Sequence, residues 1–329
     1  RGRDRIDSQC IYIIIERPGI EMKEHNNTEL FQVNKDKIKY KYRNENINIK
    51  YNKMPSMEGI LNVEDRADLI HFPSLMGINF IKHGFSTRLG GESKGHLASM
   101  NLSFTRGDER ETVVTNFRRI CSSIGISEDD LVFSDQVHDT KIRVVTKEDC
   151  GKGIARERDY AGIDGMITNI PEVVLVTFYA DCVPLYFVDV KKKAIGLSHS
   201  GWRGTVNRMG LKTVEAMKRQ YGSNPKDIIA VIGPSICQDC YEVSEDVMLE
   251  FKQSFSKKDS GDILEEKTEG KYQLDLWLAN KYIMSEAGIP DENITISGIC
   301  TCCNSSLLYS HRASGGKRGN LAAFLSIKG

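Results

Sequence analysis

Three apolar runs in the middle of the chain restrict the fold more than any other feature of the sequence. Residues 173–179, 183–190 and 194–198 are almost entirely apolar and are separated by short polar turns. A strand with one face in water alternates apolar and polar residues, whereas a strand buried on both faces reads as a continuous apolar run. These runs therefore predict strands at the centre of a layered molecule.

Strand and helix patterns interleave around these central runs. Residues 141–145 alternate as a strand, and residues 228–232 and 294–299 are further apolar strands. Residues 205–220 and 274–287 carry apolar side chains at helical spacing, which predicts two amphipathic helices. Interleaved strands and helices predict an α/β domain built of packed layers.

The first part of the chain differs in composition from the rest. Residues 1–67 are rich in Lys, Asn and Glu and contain short alternating runs at 37–42 and 46–51. We expect a polar N-terminal extension here, with a small hairpin, followed by one domain at residues 68–329. A chain of 329 residues is long enough for two domains, but the apolar runs that a core needs lie in the second segment.

The charge balance limits the partners that the chain can bind. The 45 Lys and Arg residues equal the 45 Asp and Glu residues, so no overall positive field attracts nucleic acid or an anionic membrane. The longest apolar region, residues 173–190, is interrupted by Asp181 and is shorter than the roughly 20 residues of a membrane helix. We therefore expect a compact polar substrate, with no nucleic acid and no membrane as partner.

The nine cysteines show no even, regular spacing. Such usage is typical of a reducing compartment, so we expect a cytoplasmic protein without a disulfide framework. Nothing in the sequence predicts an oligomeric state.

Three side chains that can bind a metal lie at predicted strand ends or turns. His138 precedes a strand, Cys182 lies between two apolar runs, and His199 ends the third run. Two imidazoles and one thiolate fit a catalytic zinc site, whose fourth position is left to water. Zinc would lower the pKa of that water to roughly 7. From the spacing alone, ordinary surface or core histidines remain the alternative.

A second set of cysteines offers a competing metal site. Cys237 and Cys240 form a Cys-x-x-Cys pair, whereas Cys300, Cys302 and Cys303 form a compressed Cys-x-Cys-Cys cluster. Structural zinc commonly uses two well-formed Cys-x-x-Cys knuckles. Because the second cluster departs from that spacing, the sequence favours buried thiols without a metal.

Local arginines are the candidates for binding an anion in this neutral chain. Arg88 precedes a glycine pair at residues 90–91, whose backbone N–H groups can approach a ligand closely. Arg203 and Arg312 also lie near glycines. A guanidinium binds phosphate or carboxylate through two parallel hydrogen bonds. Taken singly, each segment is better explained as an ordinary glycine turn with a solvated arginine.

Short motifs follow one another in order from about residue 80 to the C-terminus. They are residues 83–91, Met100-Asn101-Leu102-Ser103, Asp135-Gln136-Val137-His138, Asp164-Gly165-Met166, Ala180-Asp181-Cys182-Val183-Pro184, His199-Ser200-Gly201-Trp202-Arg203-Gly204, Gly233-Pro234-Ser235-Ile236, Cys240-Tyr241-Glu242-Val243 and Tyr309-Ser310-His311-Arg312. This series resembles the laccase-domain proteins, historically called multicopper polyphenol oxidases and later associated with purine nucleoside phosphorylase activity. Ser200 stands where the family often has alanine.

The resemblance implies a fold and a metal site. The fold is an α/β/β/α layered sandwich with mixed sheets, similar to the catalytic domain of cytotoxic necrotizing factor. Residues 68–329 would be one catalytic domain, in which His138, Cys182 and His199 bind Zn²⁺, with Cu²⁺ as the alternative.

The resemblance also implies an activity. Phosphate would cleave adenosine, inosine, guanosine or methylthioadenosine to the base and ribose 1-phosphate, and some members of the family also deaminate adenosine. Deamination would use a metal-activated water at purine C6. The candidate substrate and phosphate ligands are Arg88, Asn101, Trp202, Arg203 and Arg312.

Three other functions stay open on the sequence. A copper-dependent polyphenol oxidase could use the same His, Cys and His triad, but the seven histidines contain no His-x-His pair for a full copper cluster. A cysteine hydrolase could use Cys182 as nucleophile and His199 as base. A binding module without catalysis is the third.

Overall fold

A computed structural model describes residues 38–42, 45–49, 60–62 and 67–329. The strands of these residues are β1 (Ile38–Tyr42), β2 (Glu45–Ile49), β3 (Ile60–Asn62), β4 (Leu69–His71), β5 (Ile81–Ser86), β6 (Leu131–Phe133), β7 (Ile142–Val144), β8 (Gly165–Thr168), β9 (Val174–Tyr179), β10 (Val183–Asp189), β11 (Ala194–Ser200), β12 (Ile228–Ile232), β13 (Glu242–Ser244), β14 (Leu264–Thr268), β15 (Lys271–Leu274), β16 (Ile294–Ile296) and β17 (Leu321–Ile327). The helices are α1 (Pro73–Met76), α2 (Arg110–Ile124), α3 (Trp202–Val206), α4 (Met209–Tyr221), α5 (Glu245–Ser254), α6 (Lys257–Ile263), α7 (Leu276–Glu286) and α8 (His311–Ser314).

Two six-stranded mixed sheets form the centre of the molecule. The first sheet has the strand order β16-β12-β10-β11-β8-β7, and the second has the order β3-β4-β5-β17-β9-β6. Neighbouring strands are antiparallel except for β12 with β16 and β7 with β8 in the first sheet, and β6 with β9 in the second. A smaller antiparallel sheet contains β13, β15 and β14.

The burial of β10 shows why its sequence is apolar throughout. Tyr186 and Val188 belong to the core between the two sheets, together with Leu175 of the second sheet. Leu185 and Phe187 point to the opposite face and pack against α4, α5 and α7. On the far side of the second sheet, α2 covers the strands. The expected α/β/β/α sandwich with mixed sheets is therefore confirmed.

The central strands and one helix lie where the sequence predicts them. The three apolar runs are β9, β10 and β11, and residues 141–145 and 228–232 contain β7 and β12. The strand predicted at 294–299 is shorter and ends at Ile296. Within residues 274–287 the helix starts at Leu276, because the Asp275 carboxylate accepts a hydrogen bond from Leu278 N at 3.0 Å and caps it.

The helix predicted at residues 205–220 is instead two helices, α3 and α4. Arg208 separates them with a left-handed backbone, φ 63°. Its guanidinium lies 4.2 Å from the centre of the Phe255 ring and forms an ion pair with Glu286. Tertiary contacts of one long side chain thus accompany a break that helical periodicity does not reveal.

Strands β1 and β2 pair as an antiparallel hairpin, from Ile38 opposite Ile49 to Tyr42 opposite Glu45. Strand β3 pairs with β4, so the second sheet includes residues that precede position 68. The predicted extension falls largely on residues 1–37, 43–44, 50–59 and 63–66, which lie outside the described residues, and the boundary at 67/68 stays a prediction. Among the described helices, none is long and apolar enough to cross a membrane.

Candidate active site

Two crossings of the chain between the sheets bring His138 and Cys182 to one place. His138 lies on the segment that leads from β6 of the second sheet to β7 of the first, and its φ is 64°. Cys182 lies on the short link from β9 to β10, directly after Asp181, whose φ is 93°. His199 is the penultimate residue of β11 and pairs with Pro184 of β10, two residues from Cys182. The topology therefore assembles the three predicted ligands.

The three side chains are close enough to bind one ion. Their ligand atoms all lie within 4.8 Å of one another, and Cys182 Sγ is 3.9 Å from His138 Nε2. The rings of His138 and His199 are 4.9 Å apart at an angle of 82°. His199 is buried, Cys182 is half-buried and His138 is exposed. The cluster is thus anchored in the core and open to solvent on one side.

Asp164, which lies just before β8, holds both histidines in position. Its carboxylate is fully buried and accepts hydrogen bonds from the backbone N–H of Val137, His138 and Asp139 at 2.9–3.1 Å. It also bonds His199 Nδ1 at 2.9 Å. A histidine that ligates a metal commonly donates its other ring nitrogen to a carboxylate in this way, which leaves Nε2 for the ion.

The electrostatics of the cluster favour its charged forms. Burial opposes ionisation of Cys182, but the neighbouring His199 and the hydrogen bond to His138 outweigh it and lower the pKa of the thiol to about 6. Burial also opposes the charge of His199, but Cys182 and Asp164 raise its pKa to about 9. For Asp164 the hydrogen bonds outweigh burial and lower its pKa. Without a metal, a thiolate and an imidazolium therefore stabilise each other.

Gly201 keeps the space next to the cluster clear. A Cβ atom at this position would lie 3.1 Å from both Cys182 Sγ and His138 Cδ2. Both contacts are tighter than ordinary van der Waals contact, so any side chain here would press on two of the three ligands. The glycine is thus a requirement of the site rather than of a turn.

A cleft of 760 Å³ opens over the three ligands. Its walls include three half-buried aromatic rings and five arginines. The rings are Phe104, Phe178 and Tyr241, and the arginines are Arg106, Arg110, Arg158, Arg312 and Arg318. Its size and its mixture of apolar faces with a few polar groups are typical of a small-molecule site.

Two of the residues predicted to bind substrate have other contacts. The Arg88 guanidinium donates to the carbonyls of Ala98 and Ser305 and stacks 4.7 Å from the centre of the Tyr309 ring. Asn101 is fully buried, and its side-chain amide bonds Ser103, Asp108 and Asn320. Neither residue is among those that line the cleft.

Of the other three predicted residues, only Arg312 lines the cleft. Trp202 packs against the helix side of the first sheet, and the Arg203 guanidinium stacks 4.3 Å from its ring centre. Arg312 lines the cleft, where its guanidinium donates to the carbonyls of Cys240 and Glu242 at 3.2 and 2.9 Å.

Arg106 and Arg318 are cleft residues that the sequence analysis did not select. Burial, aided by the nearby charge of Arg106, lowers the pKa of Arg318 to about 10. The buried Nε of Arg318 has no hydrogen-bond partner within the described residues. Arg318 follows the glycine pair at 315–316, the same kind of signal that selected Arg88, so glycine-rich context did mark the segment.

Comparison with known proteins identifies the family and the fold. Residues 82–328 match the family described as multi-copper polyphenol oxidoreductase laccase. The chain belongs to this laccase family. The resemblance inferred from the ordered motifs is thereby confirmed.

The family's named relatives are similar over most of their length. "Purine nucleoside phosphorylase YlmD" of Bacillus subtilis is 40% identical over 248 residues, which is 74% of this chain and 88% of the relative. "Adenosine deaminase RL5" of an unknown prokaryotic organism is 34% identical over 234 residues, covering 70% of this chain and 88% of the relative.

A solved laccase-family structure shares the fold. The crystal structure of YlmD from Geobacillus stearothermophilus superposes with a TM-score of 0.76 at 34% identity and covers 82% of this chain and all of that one. The family match leaves out residues 1–81 of this chain.

Proposed function

We propose that the chain is a zinc-dependent purine nucleoside phosphorylase. The observation that carries the proposal is the open three-ligand cluster of His138, Cys182 and His199, set in a cleft with aromatic and arginine walls. The name of the Bacillus subtilis relative supports the same activity. We propose adenosine, inosine, guanosine and methylthioadenosine as substrates.

The donor set fits a catalytic zinc ion. Zinc accepts imidazole and thiolate ligands together, and three protein ligands leave a position for substrate or water. The Asp164 hydrogen bond fixes the ring orientation of His199, and Gly201 leaves the ligands unobstructed. When bound, zinc supplies Lewis acidity, which stabilises negative charge that develops on an oxygen or on a leaving group.

Arg106 and Arg318 are the groups we propose for phosphate. Burial and the nearby charge of Arg106 lower the pKa of Arg318 at the cleft wall, and an anion between the two guanidinium groups would offset that unfavourable environment. The unpartnered Nε of Arg318 is available as a donor. In the reaction a phosphate oxygen bonds to C1′ of the ribose while the C1′–N9 bond breaks, and the purine leaves with the electron pair and takes up a proton.

Three aromatic rings in the same cleft suit the other half of the substrate. Phe104, Phe178 and Tyr241 present half-buried ring surface. A purine stacks favourably on such rings, and holding the nucleoside against a fixed phosphate removes much of the entropy cost of bringing the two reactants together.

The test uses the purified full chain with inosine, in the presence and absence of phosphate. We expect hypoxanthine and ribose 1-phosphate to form in equal amounts, and only with phosphate. Free ribose formed without phosphate would mean hydrolysis, and no product in either arm would contradict the proposal.

Adenosine deamination is a second candidate, favoured by the relative named as an adenosine deaminase. The same open cluster can promote attack of water at purine C6, with loss of ammonia. Incubation with adenosine separates the two reactions, because phosphorolysis yields adenine and deamination yields inosine.

Two further assays test the copper oxidase and cysteine hydrolase functions that the sequence left open. Phenol oxidation that follows added copper, with no ribose 1-phosphate from inosine, would support a copper polyphenol oxidase. Metal-free activity that is lost when thiols are alkylated would support a cysteine hydrolase with Cys182 as nucleophile.

A further inference from the structure

A second cluster of thiols lies on the helix side of the first sheet. Cys237 and Cys240 follow β12, and Cys300 and Cys303 follow β16. The four sulfurs all lie within 4.8 Å of one another. Cys237 and Cys300 are buried and the other two are half-buried. None of the four lines the cleft.

The structure changes the interpretation of the second cysteine motif. The pair that faces Cys237 and Cys240 is Cys300 with Cys303, whereas Cys302 is outside the cluster. Both segments are therefore Cys-x-x-Cys pairs, the spacing of structural zinc knuckles. The compressed Cys-x-Cys-Cys spacing, which favoured thiols without a metal, therefore does not describe the two cysteines that face the first pair.

The backbone donates hydrogen bonds to one sulfur of the cluster. The N–H groups of Cys237 and Cys303 point to Cys300 Sγ at 3.3 and 3.4 Å. An amide hydrogen bond stabilises a thiolate more than a thiol, because its acceptor is then charged. The two cysteine segments are also joined through Ser235, which exchanges backbone hydrogen bonds with Ile299 and Thr301.

The size of the cluster selects the kind of group that fits. With Zn–S bonds of about 2.3 Å, a tetrahedral ion places its sulfurs about 3.8 Å apart. Cys240 Sγ and Cys303 Sγ are 3.4 Å apart, and no pair exceeds 4.8 Å. A single ion matches these separations, whereas an iron–sulfur cluster of several atoms needs a wider ring of thiolates.

We propose that Cys237, Cys240, Cys300 and Cys303 bind one structural zinc ion. Four thiols release four protons to solvent and form a closed site with no position for substrate. The Arg312 guanidinium, which donates to the Cys240 carbonyl at 3.2 Å, lies beside the resulting negative charge. The case for this site does not rest on the proposed nucleoside chemistry.

The zinc knuckles also support the wall of the cleft. The Thr301 hydroxyl, inside the second knuckle, donates to the Asp181 carboxylate at 2.6 Å, and the Ile236 N–H donates to the Asp181 carbonyl at 3.0 Å. Asp181 immediately precedes Cys182. Tyr241, next to the first knuckle, lines the cleft. Zinc would thus fix loops that position the candidate active site.

The first test measures zinc per chain by mass spectrometry of the metal in the purified full chain. We expect the double variant Cys240→Ser/Cys303→Ser to hold one equivalent less than the parent protein, and Cys302→Ser, the matched control, to hold as much as the parent. Equal zinc in the parent and the double variant, or iron in place of zinc, would overturn the proposal.

A second measurement does not depend on the folding of the double variant. Zinc X-ray absorption of Cys182→Ala, in which the catalytic triad is broken, is expected to show four sulfur neighbours at about 2.3 Å. A mixed nitrogen and sulfur shell, or a Cys240–Cys303 disulfide found by mass spectrometry of the unreduced protein, would contradict the structural zinc site.

Discussion

Two candidate metal centres differ in how they would coordinate an ion. One is the triad of His138, Cys182 and His199, and the other is the four-cysteine cluster. The triad offers three ligands of two kinds and is open to a 760 Å³ cleft. The cluster offers four ligands of one kind, two of them buried, and none of the four lines that cleft. An open coordination position permits chemistry, and a closed one permits only stabilisation.

The two centres also stabilise a thiolate by different means. At Cys182 the neighbouring histidines lower the pKa to about 6 against the effect of burial. At Cys300 hydrogen bonds from the Cys237 thiol and from backbone amides lower the pKa. A thiolate paired with titratable imidazoles stays responsive to substrate and solvent, whereas one held by amides is fixed by the fold. The difference separates a reactive site from a structural one.

The largest expected effect comes from a substitution that disrupts only the open centre. Cys182→Ala removes one of three ligands, and because a Lewis-acidic metal contributes several kcal/mol, we expect nucleoside cleavage to fall by about 10³-fold. Steady-state phosphorolysis of inosine measures it. Cys150→Ala, which removes a half-buried thiol that belongs to neither cluster and does not line the cleft, is the control.

The Tm of the same variant tests whether the open centre also stabilises the fold. Cys182→Ala is expected to unfold at a temperature close to the Tm of the parent protein, since the open centre serves chemistry more than stability. A variant that keeps full turnover without its zinc would show that the triad is not the catalytic centre.

Breaking the closed centre is expected to cost stability instead. Loss of a structural metal is among the most destabilising changes, so Cys240→Ser should lower the free energy of unfolding by about 3 kcal/mol or more. For a chain of this size that corresponds to a fall in Tm of about 5 °C. Calorimetry measures it, with Cys302→Ser as the matched control.

The turnover of the Cys240→Ser variant tests whether the closed centre takes part in catalysis. Well below its Tm we expect cleavage of inosine to persist, because none of the four cysteines lines the cleft. An unchanged Tm in Cys240→Ser would show that the two centres do not divide chemistry and stability as described.

Asp164→Asn tests how the open centre is positioned. The amide keeps the shape of the carboxylate but not its charge, so His199 loses its charged partner at 2.9 Å. Outer-shell groups of this kind typically contribute 10–100-fold to metal affinity, and we expect a loss in that range at the triad. Competition with a chelator measures zinc affinity, and zinc at the cysteine cluster should be unaffected. Equal weakening of both centres would point to general unfolding.

Much of the fold and the grouping of His138, Cys182 and His199 could be predicted from the sequence. Continuous apolar runs mark strands buried on both faces, and the ordered motifs mark the three side chains that the fold brings together. The break between α3 and α4 at Arg208 could not be predicted. The left-handed backbone of Arg208 accompanies contacts of its side chain with Phe255 and Glu286, which are distant in sequence. Local periodicity carries no information on such contacts.

The arginines and cysteines show the same limit at the sites. Arg88 and Arg318 both lie near glycine pairs, but Arg88 donates to backbone carbonyls while Arg318 lines the cleft. In the run Cys300 to Cys303 the sequence does not tell which two sulfurs face the other pair. Residue type and spacing identify a set of candidate side chains, and only the three-dimensional packing of the chain determines which of them lie together.

The smallest expected effect tests the link between the two centres. The Thr301 hydroxyl donates to Asp181 at 2.6 Å, and Asp181 also accepts from the backbone N–H of Arg312 at 2.7 Å. Thr301→Val removes the first bond and keeps the second, so we expect a loss of about 1.5 kcal/mol at most, the lower end for a hydrogen bond to a charged group.

If the closed centre positions the open one, part of this loss appears in function. The KM for nucleoside should rise by up to about tenfold while both zinc equivalents are retained. Thr301→Ser keeps the hydroxyl and is expected to restore the parent KM. A Thr301→Val protein with lower Tm and unchanged KM would mean that the cysteine cluster stabilises its own loops without shaping the cleft, and the two centres would then be independent.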